Sequence, residues 1–99
     1  MAKFELKIYN MKTEEVEKTY SRNKIPVNLF LAYQELSEKL VSEKIENDID
    51  MFKAIKGLFM ETFDGLTEKE YNEQTDVSEV LIAFRNLLKK ATVFEASKN

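Results

Sequence analysis

Residues 47–65, NDIDMFKAIKGLFMETFDG, predict an apolar helix together with signals for both of its ends. Asn47 or Asp48 suits a helix N-cap, because a short polar side chain can accept from free backbone N–H groups. Gly65 suits the left-handed residue that ends a helix. Apolar side chains between them recur at three- and four-residue steps, which predicts one helical stripe: Ile49, Phe52, Ile55, Phe59 and Phe63.

Toward the C-terminus, the sequence predicts a short helix and then a long one. Thr67 and Glu70 have the spacing of a capping box, and the short helix should run through Tyr71. The long helix should begin near Thr75 or Asp76, with an apolar face that extends to about residue 92. Residues 93–99 are expected to form a frayed tail.

Toward the N-terminus, another amphipathic helix is predicted from Val27, directly after Pro26, to about residues 44–46. Its apolar stripe follows the helical period: Leu29, Tyr33, Leu36 and Leu40.

The first residues have a different period, which is typical of strands. Phe4, Leu6 and Ile8 alternate with polar residues and predict a half-buried strand. Val16 and Tyr20 are expected to share one face of a second strand, after a turn at residues 10–13. The chain is therefore predicted to be one α+β domain, mostly α, with a two-stranded β element (residues 1–22) and a helical part (residues 27–92) of three main helices and one short one.

Composition argues against an enzyme. The 99 residues include no histidine and no cysteine, so the commonest acid–base group and any thiol nucleophile are missing. Two glycines and one proline cannot build a glycine-rich phosphate loop, and no cofactor is expected. The carboxylates at 68, 70, 73 and 76 do not have the spacing of a calcium loop, so no metal site is predicted.

Composition also bears on location and partners. No apolar run approaches the roughly 18 residues of a membrane span, and Glu5 interrupts any signal peptide, so the cytoplasm is the expected location. Residues 61–79 carry seven acidic side chains against one lysine, within a net charge of −3. This excess disfavours nucleic acid as a partner. It favours, as one alternative, a small acidic regulatory or inhibitory protein that occupies a basic partner surface.

The apolar helix at residues 49–63 has two interpretations. It is either ordinary core or, because Phe and Met side chains adapt to partner surfaces, a docking face. Met51 and Met60 support the second interpretation because they are expected to project away from the main stripe. The candidate partner-binding residues are Met51, Phe52, Ile55, Leu58, Phe59, Met60 and Phe63.

Taken together, the order of these segments resembles a known family. A strand pair leads to Ile25-Pro26-Val27, which opens a helix, and the apolar helix then runs into Phe63, Asp64, Gly65, Thr67 and Glu70. This resembles the short tail assembly chaperones of long-tailed bacteriophages, especially those of Gram-positive hosts. Their apolar helix meets a phenylalanine, an acidic or glycine turn and a T-x-[DE]-x helix start. This chain departs from many members of that family at residues 73–75, where Glu-Gln-Thr stands in place of a glycine turn.

The resemblance implies a function. Such chaperones bind the long, helical tape-measure protein, keep it in solution, assist tail-tube assembly with the tail-tube protein, and are absent from the finished virion. The role needs a charged exterior, an apolar docking surface and reversible binding. A free docking surface would also allow a weak homo-oligomer.

Overall fold

The computed structural model describes residues 4–42, 44 and 47–97, with side chains as far as residue 88. The fold is α+β and mostly α, as predicted from the sequence: an antiparallel hairpin precedes four helices. Six elements follow one another along the chain: β1 (Phe4–Asn10), β2 (Glu15–Arg22), α1 (Val27–Val41), α2 (Asp48–Thr62), α3 (Glu68–Gln74) and α4 (Val77–Ser97).

The hairpin has a bulge that the sequence pattern did not predict. Ile8 pairs with Lys18 but Tyr9 pairs with Val16, so Glu17 is the extra residue on β2. Cross-strand partners share a face of the sheet, so the bulge places Val16 beside Tyr9 on the outer face. The Val16 side chain is 48% exposed there. The prediction that Val16 and Tyr20 share one face is therefore wrong.

The turn of the hairpin is built around Asn10. Its side-chain oxygen accepts from the backbone N–H groups of Lys12 and Thr13, at 2.9 and 3.3 Å. The turn occupies residues 11–14, one residue later than predicted, because Glu14 takes a left-handed conformation with φ 61° and its N–H bonds the Asn10 carbonyl.

The predicted N-cap of α2 is present, whereas the predicted glycine cap at its C-terminus is not. The Asn47 side chain accepts from the Asp50 N–H at 2.9 Å. Gly65 has φ 90°, but α2 ends earlier, at Thr62, and its C-cap is Phe63 in an extended conformation. Thr67 and Glu70 form the reciprocal capping box at the start of α3. Local sequence chemistry thus fixes the starts of α2 and α3.

Three helix ends differ from the predictions. α1 ends at Val41 rather than at residues 44–46, because Leu40 is its last core contact and Val41 is 82% exposed. α3 continues past Tyr71 to Gln74, and the Thr75 hydroxyl then bonds the Tyr71 carbonyl. α4 continues to Ser97, since no glycine or proline interrupts it, so residues 93–97 are helical rather than frayed; residues 98 and 99 lie outside the described part.

One core lies between the inner face of the hairpin and the helices. Tyr33 of α1 is at its centre, and its ring contacts Phe59 and Phe84 with centroids 6.5 and 6.0 Å apart. The Tyr33 hydroxyl bonds the Thr62 hydroxyl at 2.7 Å, and Thr62 in turn donates to the Leu58 carbonyl. Burial raises the pKa of Tyr33, so this hydroxyl remains a donor in the core.

Candidate functional site

The structure places three of the seven candidate docking residues in the interior. Ile55, Phe59 and Phe63 are fully buried, and Phe59 packs edge-on against Phe63 and Tyr71 with ring centroids 5.6 and 6.1 Å away. A partner cannot reach these side chains while the chain is folded. For these three residues, the structure therefore favours the core interpretation over the docking one.

The other four candidate residues do not form one surface. Met51, Phe52 and Leu58 are half-buried and pack against the core, whereas Met60 is 41% exposed. Met51 and Met60 are nine residues apart, which corresponds to about 180° around a helix. The docking face expected from the two methionines therefore does not exist as a single patch.

The structure has an apolar groove between α1 and α2, at a different place from the docking face expected from the two methionines. It encloses about 250 Å³. Ala32 and Leu36 of α1 form one wall, and Ala54 and Leu58 of α2 form the other. Because alanine side chains are short, the two helices leave a depression between them where larger residues would fill the space.

The groove continues toward the start of α1 in a second depression of about 180 Å³. Ala32 lines both depressions and joins them. Pro26, Asn28 and Leu29 line this second part together with Arg22 and Glu61. The combined feature, called the α1–α2 groove below, follows two helices of 15 residues, each about 22 Å long at 1.5 Å per residue.

The rim of the α1–α2 groove is charged with both signs. Glu35 and Lys39 form an ion pair at 3.6 Å along one side. At the other end, the Arg22 guanidinium donates to the carbonyls of Glu61 and Thr62, at 3.3 and 3.1 Å. Arg22 thus stabilises the C-terminus of α2, where a positive charge is favourable, and closes that end of the groove.

Sequence reasoning identified Leu58 but missed the other walls of the groove. Ala32, Leu36 and Ala54 lie at or beside the edges of the apolar stripes of α1 and α2. The available signal was the pair of alanines on the two predicted helices, but alanine is also an ordinary helix former, so the signal was weak.

A separate concavity of about 360 Å³ lies between the hairpin turn and the start of α4. Tyr9 and Met11 line it together with three carboxylates: Glu14, Asp76 and Glu79. The neighbouring Glu79 carboxylate and partial desolvation raise the pKa of Tyr9 to about 12, so the phenol stays protonated at neutral pH. Asp76 also caps α4 by accepting from the Glu79 N–H at 3.3 Å.

The acidic segment 61–79 is not a uniform acidic surface. Glu68 pairs with Lys56 at 2.7 Å, and Glu70 pairs with Lys18 at 3.0 Å. Lys56 lowers the pKa of Glu68. Partial burial opposes ionisation of Glu70, but bonds from Tyr20, the Thr67 N–H and Lys18 outweigh it and lower the pKa to about 2. Two of the seven acidic groups are thus neutralised within the fold.

Comparisons with known proteins give no relative: no family model, curated protein or solved structure matches this chain. Among the described residues, no three acidic side chains are grouped so as to hold a metal ion. None of the described helices is long and apolar enough to cross a membrane. The α1–α2 groove exposes apolar surface of Ala32, Ala54 and Leu58 beside a charged rim.

Proposed function

We propose that this chain is a phage tail assembly chaperone that holds helical segments of a tape-measure protein in the α1–α2 groove. The groove is the observation that carries the proposal, because its apolar floor and charged rim are complementary to an amphipathic helix. The resemblance of the Phe63–Glu70 region to this chaperone family supports a tape-measure protein as the helical partner.

The dimensions of the groove suit reversible binding. Its α2 wall runs from Ala54 to Glu61, about 11 Å at 1.5 Å per residue, which accommodates roughly two turns of a partner helix. Ala32, Ala54 and Leu58 are half-buried and Leu36 is already buried in the core, so each contact removes only a modest apolar area from water. A chaperone must release the tape-measure protein during assembly with the tail-tube protein. Many copies of the chaperone would together cover a long helix, and each copy could dissociate because it binds weakly.

The test is coexpression with the long helical protein that the proposal expects to be encoded near this gene. Wild-type chain should raise the soluble fraction of that protein and copurify with it. Ala32→Arg should abolish both effects, since it fills the groove with a charged side chain. Gln34→Arg is the matched control, because it adds the same charge about 200° around α1 and should act like wild type.

Circular dichroism and the melting temperature of both arginine variants verify that each is folded. If Ala32→Arg and Gln34→Arg copurify with equal amounts of the long helical protein, the groove is not its binding site. A genome neighbourhood without a long helical reading frame, or a wild-type chain that leaves that protein insoluble, would remove the chaperone role itself.

A second candidate function is the small acidic regulator, which the concavity at the hairpin turn favours. Three carboxylates beside Tyr9 and Met11 would accept a lysine or arginine side chain of a basic partner. Such binding should weaken strongly between 0.05 and about 0.5 M salt, because exposed charges are screened within about 10 Å at 0.1 M. Binding in the apolar groove should change little over the same range.

A further inference from the structure

The solvent-facing side of α2 presents a row of exposed residues that the core does not use. Lys53, Gly57, Met60 and Glu61 are all exposed, and Ala54 lies beside them, half-buried. Neither Lys53 nor Glu61 forms a salt bridge within the described part of the chain. This row, called the outer face of α2 below, is separate from the core stripe of the same helix.

Gly57, near the middle of this face, has no explanation in the fold itself. A Cβ atom added there would meet no atom within 4 Å, and the residue has ordinary helical backbone. Glycine inside a helix is unfavourable relative to alanine because it loses more conformational entropy. A second backbone that approaches the helix closely at this point would explain why a side chain is absent.

The outer face is self-complementary about Gly57. Lys53 lies four residues before it and Glu61 four residues after it, while Ala54 and Met60 lie three residues to either side. In two antiparallel copies of α2 that cross at Gly57, Lys53 of each copy faces Glu61 of the other. Ala54 and Met60 lie on opposite sides of this row, so each of them lies beside its own counterpart in the other copy. A two-fold interface requires this kind of self-complementary arrangement.

We propose that the outer face of α2 is a homodimer interface, in which two copies of this chain cross antiparallel at Gly57. The same symmetry sets Asp50 opposite Asp64, but helices that cross at about 50° diverge toward their ends, which separates these like charges. A single helix crossing is smaller than the roughly 1,200–2,000 Å² of a standard interface. The dimer should therefore be weak and concentration-dependent.

The dimer does not depend on the chaperone function, but it would affect the same region. Ala54 belongs to the outer face and also lines the α1–α2 groove. A second copy on this face would therefore cover part of one groove wall. The tests below measure only self-association, so their failure leaves the proposed chaperone function standing.

The first test uses the absence of cysteine from the chain. In Gly57→Cys, two symmetry-related thiols would meet at the two-fold axis, where a disulfide needs Cβ atoms about 3.5–4.5 Å apart. We expect this variant to form a disulfide-linked dimer rapidly in a mildly oxidising glutathione buffer. Asn72→Cys, an exposed position on α3, is the matched control and should stay largely monomeric. Equal rates of crosslinking in the two variants would overturn the proposal.

The second test exchanges charges across the proposed interface. Lys53→Glu places two carboxylates opposite each other and should raise the dimer dissociation constant, measured by sedimentation, about tenfold. Glu61→Lys should act in the same direction, and the double variant should return to the wild-type value because the pair is restored with its sign reversed. Lys12→Glu, in the hairpin turn, has the same charge change and should have no effect.

Each result of the charge exchange is decisive. Recovery in the double variant supports the antiparallel register about Gly57. A wild-type chain that is monomeric at millimolar concentration, or a double variant no better than Lys53→Glu, contradicts it. Melting temperatures accompany each measurement, so that loss of the dimer is distinguished from loss of the fold.

Discussion

The two strands of the hairpin attach to the helices by different chemistry on the same face. β1 contributes three fully buried apolar side chains, from Phe4, Leu6 and Ile8. Their cross-strand partners on β2 are all polar: Arg22, Tyr20 and Lys18, respectively. Because cross-strand partners share a face of the sheet, these polar side chains also face the helices. β1 is held by burial, whereas β2 is held by hydrogen bonds and ion pairs to the ends of helices.

The contacts of β2 converge on the connection between α2 and α3. The Tyr20 hydroxyl bonds Glu70 at 2.6 Å and the Gly65 carbonyl at 3.1 Å. The Lys18 ammonium reaches the other Glu70 oxygen at 3.0 Å. β2 lies at the margin of the core, so long side chains can cover the core with their stems while their polar ends stay near water. The position of a strand relative to the core, and not its strand propensity, therefore selects the type of attachment.

The largest expected effect tests burial in β1. Leu6→Ala should lower the free energy of unfolding by about 3 kcal/mol, because it removes buried methyl groups and leaves a cavity. Lys7→Ala, the next residue and exposed on the opposite face, should change it by less than about 0.5 kcal/mol. Urea denaturation measures both. A similar loss in the two variants would mean that the hairpin does not pack as described.

A smaller effect is expected for the polar attachment of β2. Glu70→Ala removes the acceptor of Tyr20 and Lys18 together with half of the α3 capping box, and should cost about 2 kcal/mol. Glu73→Ala has the same charge change on the same helix at an exposed position and should be close to neutral. If both substitutions cost the same in urea denaturation, the Glu70 contacts do not stabilise the hairpin.

Acid should weaken the β2 attachment without any mutation. The pKa of Glu70 is lowered to about 2, below the value of about 4.3 for an unfolded glutamate. Its stabilising contribution is therefore complete above pH 4.3 and is lost as the pH falls toward 2. The stability difference between wild type and Glu70→Ala should shrink between pH 5 and pH 2. A difference that stays constant over this range would show that the Glu70 charge is not involved.

Much of the fold could be predicted because it depends on local signals. The alternation of Phe4, Leu6 and Ile8, the Asn47 cap and the Thr67–Glu70 capping box all involve residues close together in sequence. The attachments of β2 could not be predicted in this way. Tyr20 and Glu70 are 50 residues apart, and a polar strand face gives no sequence signal of which distant carboxylate it will meet.

The candidate site was harder to predict than the fold for a related reason. Periodicity identifies apolar residues on a helix, but the core takes the most apolar face, and Ile55 and Phe59 were therefore buried rather than available to a partner. The groove exists because Ala32 and Ala54 have small side chains and because α1 and α2 lie side by side. Such a depression is a property of two helices together and cannot be inferred from either alone.

A still smaller loss of stability is expected when only the ion pair of Glu70 is removed and its bonds to Tyr20 and Thr67 are kept. Lys18 is 53% exposed on its side chain, so its ion pair with Glu70 is screened and should contribute less than about 0.5 kcal/mol. Lys18→Met keeps an unbranched side chain but removes the ammonium group, and with it both the ion pair and the contact of Lys18 Nζ with the Tyr20 ring, 5.1 Å from the ring centroid. The small loss should disappear at about 0.5 M salt, where exposed pairs are screened. A loss near 2 kcal/mol that persists in salt would instead make the ion pair, and not the Tyr20 hydroxyl and the capping box, the main attachment of β2.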